Sequence, residues 1–237
     1  MQIDRKQMKA AAKAAMREHR PSVYLVALVL MLILYVLQGL SMRLTMPNID
    51  ANQLMYMSDE ELIRTVTEYD PGFFASILNL AITVMTAMLD VGFMSFCLNV
   101  IRGLAAGYND LFDAFGNFLR FLWLNILIGL FTFLWSLLFV IPGIIAAYRY
   151  SQAVYILLDD PDKSAMQCIR ESREMTRGYK GQLFLLDLSF LGWILLSAIP
   201  FVGVYTTPYI GLTRANYYRA LSGRWDAPQH VDVYIGP

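Results

Sequence analysis

The sequence predicts an all-α fold: a polytopic membrane bundle of six transmembrane helices, arranged as three hairpins of which the last two form a parallel pseudo-repeat. Three observations predict it. Hydrophobic residues make up 57% of the chain and charged residues only 16%, with mean hydropathy +0.46, whereas soluble domains are nearer a quarter charged. The octet Trp-x-Leu-Leu-x-x-Ile-Pro occurs twice, at Trp135–Pro142 and Trp193–Pro200, each time between two apolar runs. Most of the 19 Lys and Arg residues fall in segments that a six-span path places on one side of the membrane.

The elements follow in chain order. Residues 1–20 carry six basic and two acidic side chains, and the stretch from Ile3 to Arg17 reads as a basic amphipathic helix lying on an anionic leaflet. The apolar run at 22–42 is too long for the core of a signal peptide and lacks a small-x-small cleavage site, so it is read as an uncleaved first span. Residues 43–72 are a polar loop outside the cytoplasm. Within it Ser58 and Glu61 have capping-box spacing for a helix at 59–69, stopped by Asp70-Pro71-Gly72. The second span is 74–100. Segment 102–118 is amphipathic and is expected as a helix flat at the cytoplasmic interface, with Gly103 and Gly107 at close-packing spacing.

Apolar sequence then runs from Phe118 to Leu158. As one helix it would be ~60 Å long, twice the hydrocarbon thickness, so it must fold back. Proline removes a helical donor and restricts the residue before it. This puts the corner at Ile141-Pro142-Gly143, between spans 118–140 and 143–158. Asp160 and Pro161 are read as N-cap and first residue of a cytoplasmic helix at 161–177, with Met166, Ile169 and Met175 on one face and an Arg170–Glu174 pair. Spans 182–199 and 202–221 follow, cornered at Pro200, and residues 223–237 form a polar cytoplasmic tail.

This path puts both termini in the cytoplasm of a bacterial cell, at its inner membrane. Only Arg43 and Arg64 lie outside, and only Arg149 and Arg214 lie within spans. If 118–146 were a single span, basic residues would divide almost evenly between the sides, contrary to the positive-inside rule.

The residues of these segments resemble the bacterial membrane family catalogued as domain of unknown function 975. The resemblance rests on Asp110-Leu-Phe-x-x-Phe115, Leu-Trp135 leading to Ile-Pro-Gly143, Tyr150, Tyr155-Ile-Leu and Asp160-Pro-Asp162. It continues through Ser172, Met175, Gly178, Lys180, Leu-Phe184, Leu-Ser-Phe190, Gly-Trp193, Pro208-Tyr209 and Tyr217 or Tyr218. It covers about 102–221 and implies a multi-pass membrane protein. It transfers no activity.

Four ionisable side chains lie within the expected spans: Asp90, Arg149, Asp187 and Arg214. A charge at mid-bilayer costs ~3 kcal/mol or more, so each needs a partner or water. Depth along the spans pairs Asp187 with Arg214 and Asp90 with Arg149. Such pairs either lock helix packing or line a polar seam for an anionic headgroup or substrate. Tyr150 and Tyr209 lie deep enough to need hydrogen-bond partners and join the seam candidates. Asn79, Asn99 and Asn125 are candidates for bonds between helices. Thr206-Thr207-Pro208 is expected to loosen the start of the last span.

Catalytic and metal signatures are missing from the sequence. His19 and His230 sit in opposite tails, Cys97 and Cys168 have no metal or redox spacing, and no phosphate-binding loop occurs. The sequence therefore predicts no enzyme, no metal, no cofactor and no nucleic-acid partner. It predicts an accessory protein that binds membrane lipid or an amphipathic ligand. A homo-oligomer or a membrane-protein partner would dock through helix 161–177. The alternative is a small transporter or exporter working through the polar seam.

Overall fold

The computed structural model describes residues 4–19, 22–197 and 201–223. All regular structure among them is helical. The helices are α1 (Arg5–Glu18), α2 (Val23–Thr45), α3 (Ala51–Tyr56), α4 (Asp59–Thr67), α5 (Gly72–Ile101), α6 (Asp113–Gly116), α7 (Phe118–Leu138), α8 (Val140–Tyr150), α9 (Ala153–Asp159), α10 (Ala165–Met175), α11 (Lys180–Leu188), α12 (Leu191–Leu196) and α13 (Val202–Leu221). Three of them, α2, α5 and α7, are long and apolar enough to cross a membrane. Counting α10 with α11–α12 as one span bent by 87° makes four. Helix α13 has 20 residues, but Arg214, Asn216 and Arg219 reduce its hydropathy.

The doubling back after α7 is present, but its corner is not at Pro142. Helix α7 ends at Leu138, and Phe139 is extended at φ −162° and ψ 154°. Helix α8 begins at Val140 and takes Ile141, Pro142 and Gly143 into its first turn. Proline is tolerated there because the first-turn N–H groups have no intrahelical acceptor anyway. Pro142 therefore starts the returning helix. Gly143 is where the two arms touch: a Cβ on it would lie 2.9 Å from Ser136 Cα. The second corner, at Pro200, lies outside the described residues.

The return arm breaks at Ser151-Gln152, between α8 and α9. Ser172 of α10 stitches the break. Its hydroxyl donates to the Arg149 carbonyl at 2.9 Å and accepts from the Gln152 amide at 3.2 Å, so the freed backbone groups stay satisfied in an apolar setting. Helix α10 starts four residues later than the sequence suggested. Ser164 is the N-cap, in a reciprocal capping box with Gln167, and Asp160-Pro161 lie in the preceding turn. Its buried face is Cys168, Ile169 and Ser172, while Met166 is exposed. Lys163 pairs with Glu171 at 2.7 Å; among the described residues no ion pair joins Arg170 to Glu174.

Segment 102–118 is not one amphipathic helix. Gly103, at φ +70°, ends α5, and no atom would meet a Cβ there, so it serves backbone conformation and not close packing. A 3-10 turn at Tyr108–Phe112 and the single turn of α6 follow. Asp110 folds that turn by accepting from the Gly107 amide at 3.0 Å, and Leu111 and Ala114 are fully buried against α5.

Helix α1 does not lie free. Met8, Ala12 and Met16 form its fully or nearly fully buried stripe, facing α13 and α5. Asn216 of α13 donates to the Met8 carbonyl at 3.3 Å, and His19 lies 3.1 Å from the Ala106 carbonyl. Of the three asparagines, Asn79 joins helices, accepting from Ser41 of α2 at 2.6 Å. Asn125 donates within α7, to Phe121. Helix α13 runs on through Pro208 without interruption.

Candidate functional site

Asp187 and Arg214 meet. Arg214 Nη2 lies 2.9 Å and Nε 3.3 Å from one carboxylate oxygen of Asp187. Tyr148 of α8 lies beside this pair, its ring edge-on to Phe184 at 6.1 Å. Three helices thus converge around the pair. The Arg214 side chain is 51% exposed and that of Asp187 29% exposed, so the pair sits at the lateral surface of the bundle. Exposed Leu188 and Leu191 lie along the same stretch of chain.

Asp90 and Arg149 are not brought together. Asp90 is exposed on α5. The Arg149 guanidinium instead lies 5.6 Å from the centroid of the Trp135 ring, a cation–π distance. Its Nε is buried with no hydrogen-bond partner among the described residues. Tyr150 is 7% exposed and packs its ring 6.1 Å from Phe131. Tyr209 is 3% exposed within an aromatic cluster of Phe190, Trp193 and Tyr205, all with centroids under 6 Å away. These two tyrosines are placed by ring packing, and among the described residues no hydrogen bond holds either hydroxyl.

The sequence reading missed two features. The first is a basic cluster. Arg149 of α8, Arg173 of α10, Arg177 after it and Lys180 at the start of α11 lie within Coulombic reach, the three guanidinium charges all acting on Lys180. Among the described residues none of the four is in an ion pair. Gly178, at φ +86°, turns the chain between Arg177 and Lys180. The spacing Arg173, Arg177, Lys180 was visible as one helical face, but only folding brings Arg149 to it. Lys180 and Asp187 begin and nearly end α11, so the cluster and the carboxylate are ~10 Å apart along one helix.

The second is a node at Asp159. Its carboxylate takes Arg102 from the end of α5 and the Tyr218 hydroxyl from α13. Tyr218 stacks on Tyr155 at 5.1 Å, and Arg219 donates to the Ile101 carbonyl at 2.8 Å. This node ties the ends of α5, α9 and α13 at one level. Lys9 and Lys13 of α1 also reach the bundle: Lys9 donates to Ser189 at 2.7 Å and lies over the Phe190 ring at 4.6 Å, and Lys13 lies 5.7 Å from the Tyr209 ring. Burial, together with the charges of Arg5 and Lys13, holds the Lys9 ammonium below its ordinary pKa.

A cleft of about 570 Å³ lies in the α3–α4 loop region, lined by Asn52, Gln53, Tyr56 and Thr65 among others. It contains no ionisable side chain apart from the Tyr56 phenol. Among the described residues no cluster of three metal-ligating side chains occurs.

No curated protein and no solved structure matches this chain. Residues 137–225, which carry Arg149, Lys180, Asp187 and Arg214, match the family described as Protein of unknown function (DUF975), the family that the sequence resembles.

Proposed function

We propose that the chain is a six-span inner-membrane protein whose lateral groove binds an anionic lipid. In this reading α2, α5 and α7 are the first three spans, the broken pairs α8–α9 and α11–α12 are the fourth and fifth, and α13 is the sixth. The Asp159 node and the α10 helix face the cytoplasm in this reading, which the distribution of basic residues supports. The observation that carries the lipid reading is the unpaired cationic cluster of Arg149, Arg173, Arg177 and Lys180. It stands where α10 turns by 87° into α11, at the level expected for headgroups. Four cations with no ion-pair partner among the described residues repel one another, and an anionic phosphate relieves that repulsion through charge-assisted bonds. Exposed Phe184, Leu185, Leu188 and Leu191 continue from the cluster and offer apolar surface to an acyl chain.

Native mass spectrometry of the full chain, purified in mild detergent and given phosphatidylglycerol or phosphatidylcholine, tests this. Retention of the anionic lipid alone, lost in Arg173→Ala with Arg177→Ala, is expected. Equal retention of both lipids, or retention unchanged by the double variant, overturns it.

A transporter is the second reading, favoured by the helix breaks at Ser151-Gln152 and Ser189-Phe190. Discontinuous spans are a common way to build a substrate site at mid-membrane. Single cysteines placed along α8 and α13 separate the two readings. Reaction with a soluble thiol reagent deep in both helices supports transport, and protection at depth supports lipid binding.

A further inference from the structure

We infer that the lipid bound at this groove carries two phosphates on one headgroup, as cardiolipin does, with the α10–α11 cations holding one phosphate and the cations of α1 holding the other. This rests on the lipid reading above and names the class of lipid. Helix α11 stands between two groups of cations. Phe184 meets Tyr148 of α8, the residue before Arg149, so the cluster of Arg149, Arg173, Arg177 and Lys180 borders that side. Gln182 lies about 200° round the helix from Phe184, at ~100° per residue. It accepts from the Tyr217 hydroxyl at 3.4 Å, and the Arg5 charge of α1 acts on the same phenol. Seven residues on, and so on the same face as Gln182, Ser189 accepts from Lys9 of α1 at 2.7 Å. Helix α1 therefore runs along the side of α11 away from α8.

Arg5, Lys9 and Lys13 recur at four-residue spacing and form one stripe of α1. The charges of Arg5 and Lys13 both act on Lys9. Among the described residues none of the three is in an ion pair. The carboxylate beside Arg5 is engaged, since Asp4 caps α1 and accepts from the Lys6 amide at 2.8 Å. So is the carboxylate of α11, since Asp187 holds Arg214. Lys9 and Lys13 rest against the rings of Phe190 and Tyr209, contacts that place the ammonium groups without neutralising them. A single phosphodiester carries one negative charge and reaches one side of α11. Two phosphodiesters on a short bridge reach past the first turn of α11 and meet both groups of cations through charge-assisted bonds.

The apolar surface agrees. Leu185 lies between Gln182 and Ser189 on the α1 side of α11 and is exposed, and Phe184 and Leu188 on the α8 side are exposed too. Acyl chains can therefore lie along both sides of the helix. A headgroup that joins two phosphates also joins two pairs of chains, and it uses both surfaces. A lipid with one phosphate and one pair of chains uses one.

Native mass spectrometry of the full-length chain in mild detergent, titrated with cardiolipin or with twice the molar amount of phosphatidylglycerol, compares the two lipids at equal phosphate. Cardiolipin is expected to bind about tenfold tighter, the effect of one further charge-assisted contact. Arg5→Gln with Lys9→Gln should remove that preference and leave phosphatidylglycerol binding unchanged. Arg17→Gln removes a charge ~18 Å from Arg5 along α1 and should alter neither. Thermal unfolding without lipid checks the fold of the double variant. If that fold is lost, Arg5→Gln alone, at an exposed side chain, repeats the test with a smaller loss of preference expected. Equal affinity of the wild type for the two lipids overturns the inference and leaves the lipid reading standing. A preference that survives the α1 variants overturns it as well, as does an equal loss in Arg17→Gln. Inorganic pyrophosphate competing as well as cardiolipin would make the ligand a soluble anion and overturn the lipid assignment. A wild type that retains neither lipid overturns the earlier reading and this one with it.

Discussion

Gly92 of α5 packs directly on the backbone of Leu111. A Cβ on Gly92 would overlap the Leu111 carbonyl oxygen and lie 2.8 Å from its Cα. This contact seats the turn that joins α5 to α7. The obstacle is backbone, so no rotamer change can relieve it, and overpacking of this kind costs ~1–3 kcal/mol or more. Gly92→Ala is therefore expected to lower the unfolding temperature in detergent clearly, whereas Gly129→Ala, with nothing within 4 Å, should leave it nearly unchanged. Equal behaviour of the two variants would contradict the seating of this turn.

The Asp187–Arg214 pair is predicted to be energetically coupled. Because Arg214 is half-exposed, we expect an interaction of ~1 kcal/mol and not the larger value of a buried pair. Asp187→Asn and Arg214→Gln should each destabilise, and their double variant should lose less than the sum. Charge reversal offers the stricter check: Asp187→Arg with Arg214→Asp must be more stable than either reversal alone. Strict additivity in the thermal shifts would mean that the pair contributes nothing.

Asp113 supplies a pH prediction. Burial is the main cause that raises its carboxyl pKa, assisted by Asp110 and opposed by the bond from Ser95 at 2.9 Å. A raised folded pKa means that the folded state holds the proton more tightly than the unfolded chain. Its stabilising contribution is full below the ordinary carboxylate value of ~3.9 and is lost as pH rises through the raised folded value. Asp113→Asn keeps an acceptor for Ser95 and removes the titration. The variant should gain unfolding temperature over wild type at pH 7 and lose that advantage at pH 4. A constant difference across that range would rule out a raised Asp113.

Helix α4 is held by local chemistry. Ser58 accepts from the Glu61 amide at 3.3 Å, and the Glu61 carboxylate accepts from the Ser58 amide at 3.0 Å. The helix has no buried residue, so little else retains it. Ser58→Ala should cost ~1 kcal/mol of local stability. Hydrogen exchange in 59–67 should then speed roughly fivefold, by the conversion of ~1 kcal/mol into an opening constant, while exchange in α5 stays unchanged. Uniform acceleration over the whole chain would show that the cap acts globally.

The elements that proved legible in the sequence are those specified by local chemistry. Apolar runs of spanning length became α2, α5 and α7 within a few residues of their expected limits. The Ser58–Glu61 spacing became a reciprocal cap. Residue depth along two helices was enough to pair Asp187 with Arg214, because both positions are measured from nearby helix ends. The same reasoning failed for Asp90 and Arg149. Depth gives height along the bundle but not the direction a side chain faces around it.

What the sequence determined alone is the helical class, the presence of membrane-length apolar runs and the need to fold back after α7. Each follows from the length, polarity or proline content of one continuous segment. Only the tertiary structure decided that the corner falls at Phe139, because a proline near a turn can equally end one helix or begin the next. It alone decided that α1 packs on α13, that Ser172 mends the α8–α9 break, and that Arg149 joins Arg173, Arg177 and Lys180. Those outcomes depend on which faces of distant helices meet, and that is set by packing geometry across the whole bundle.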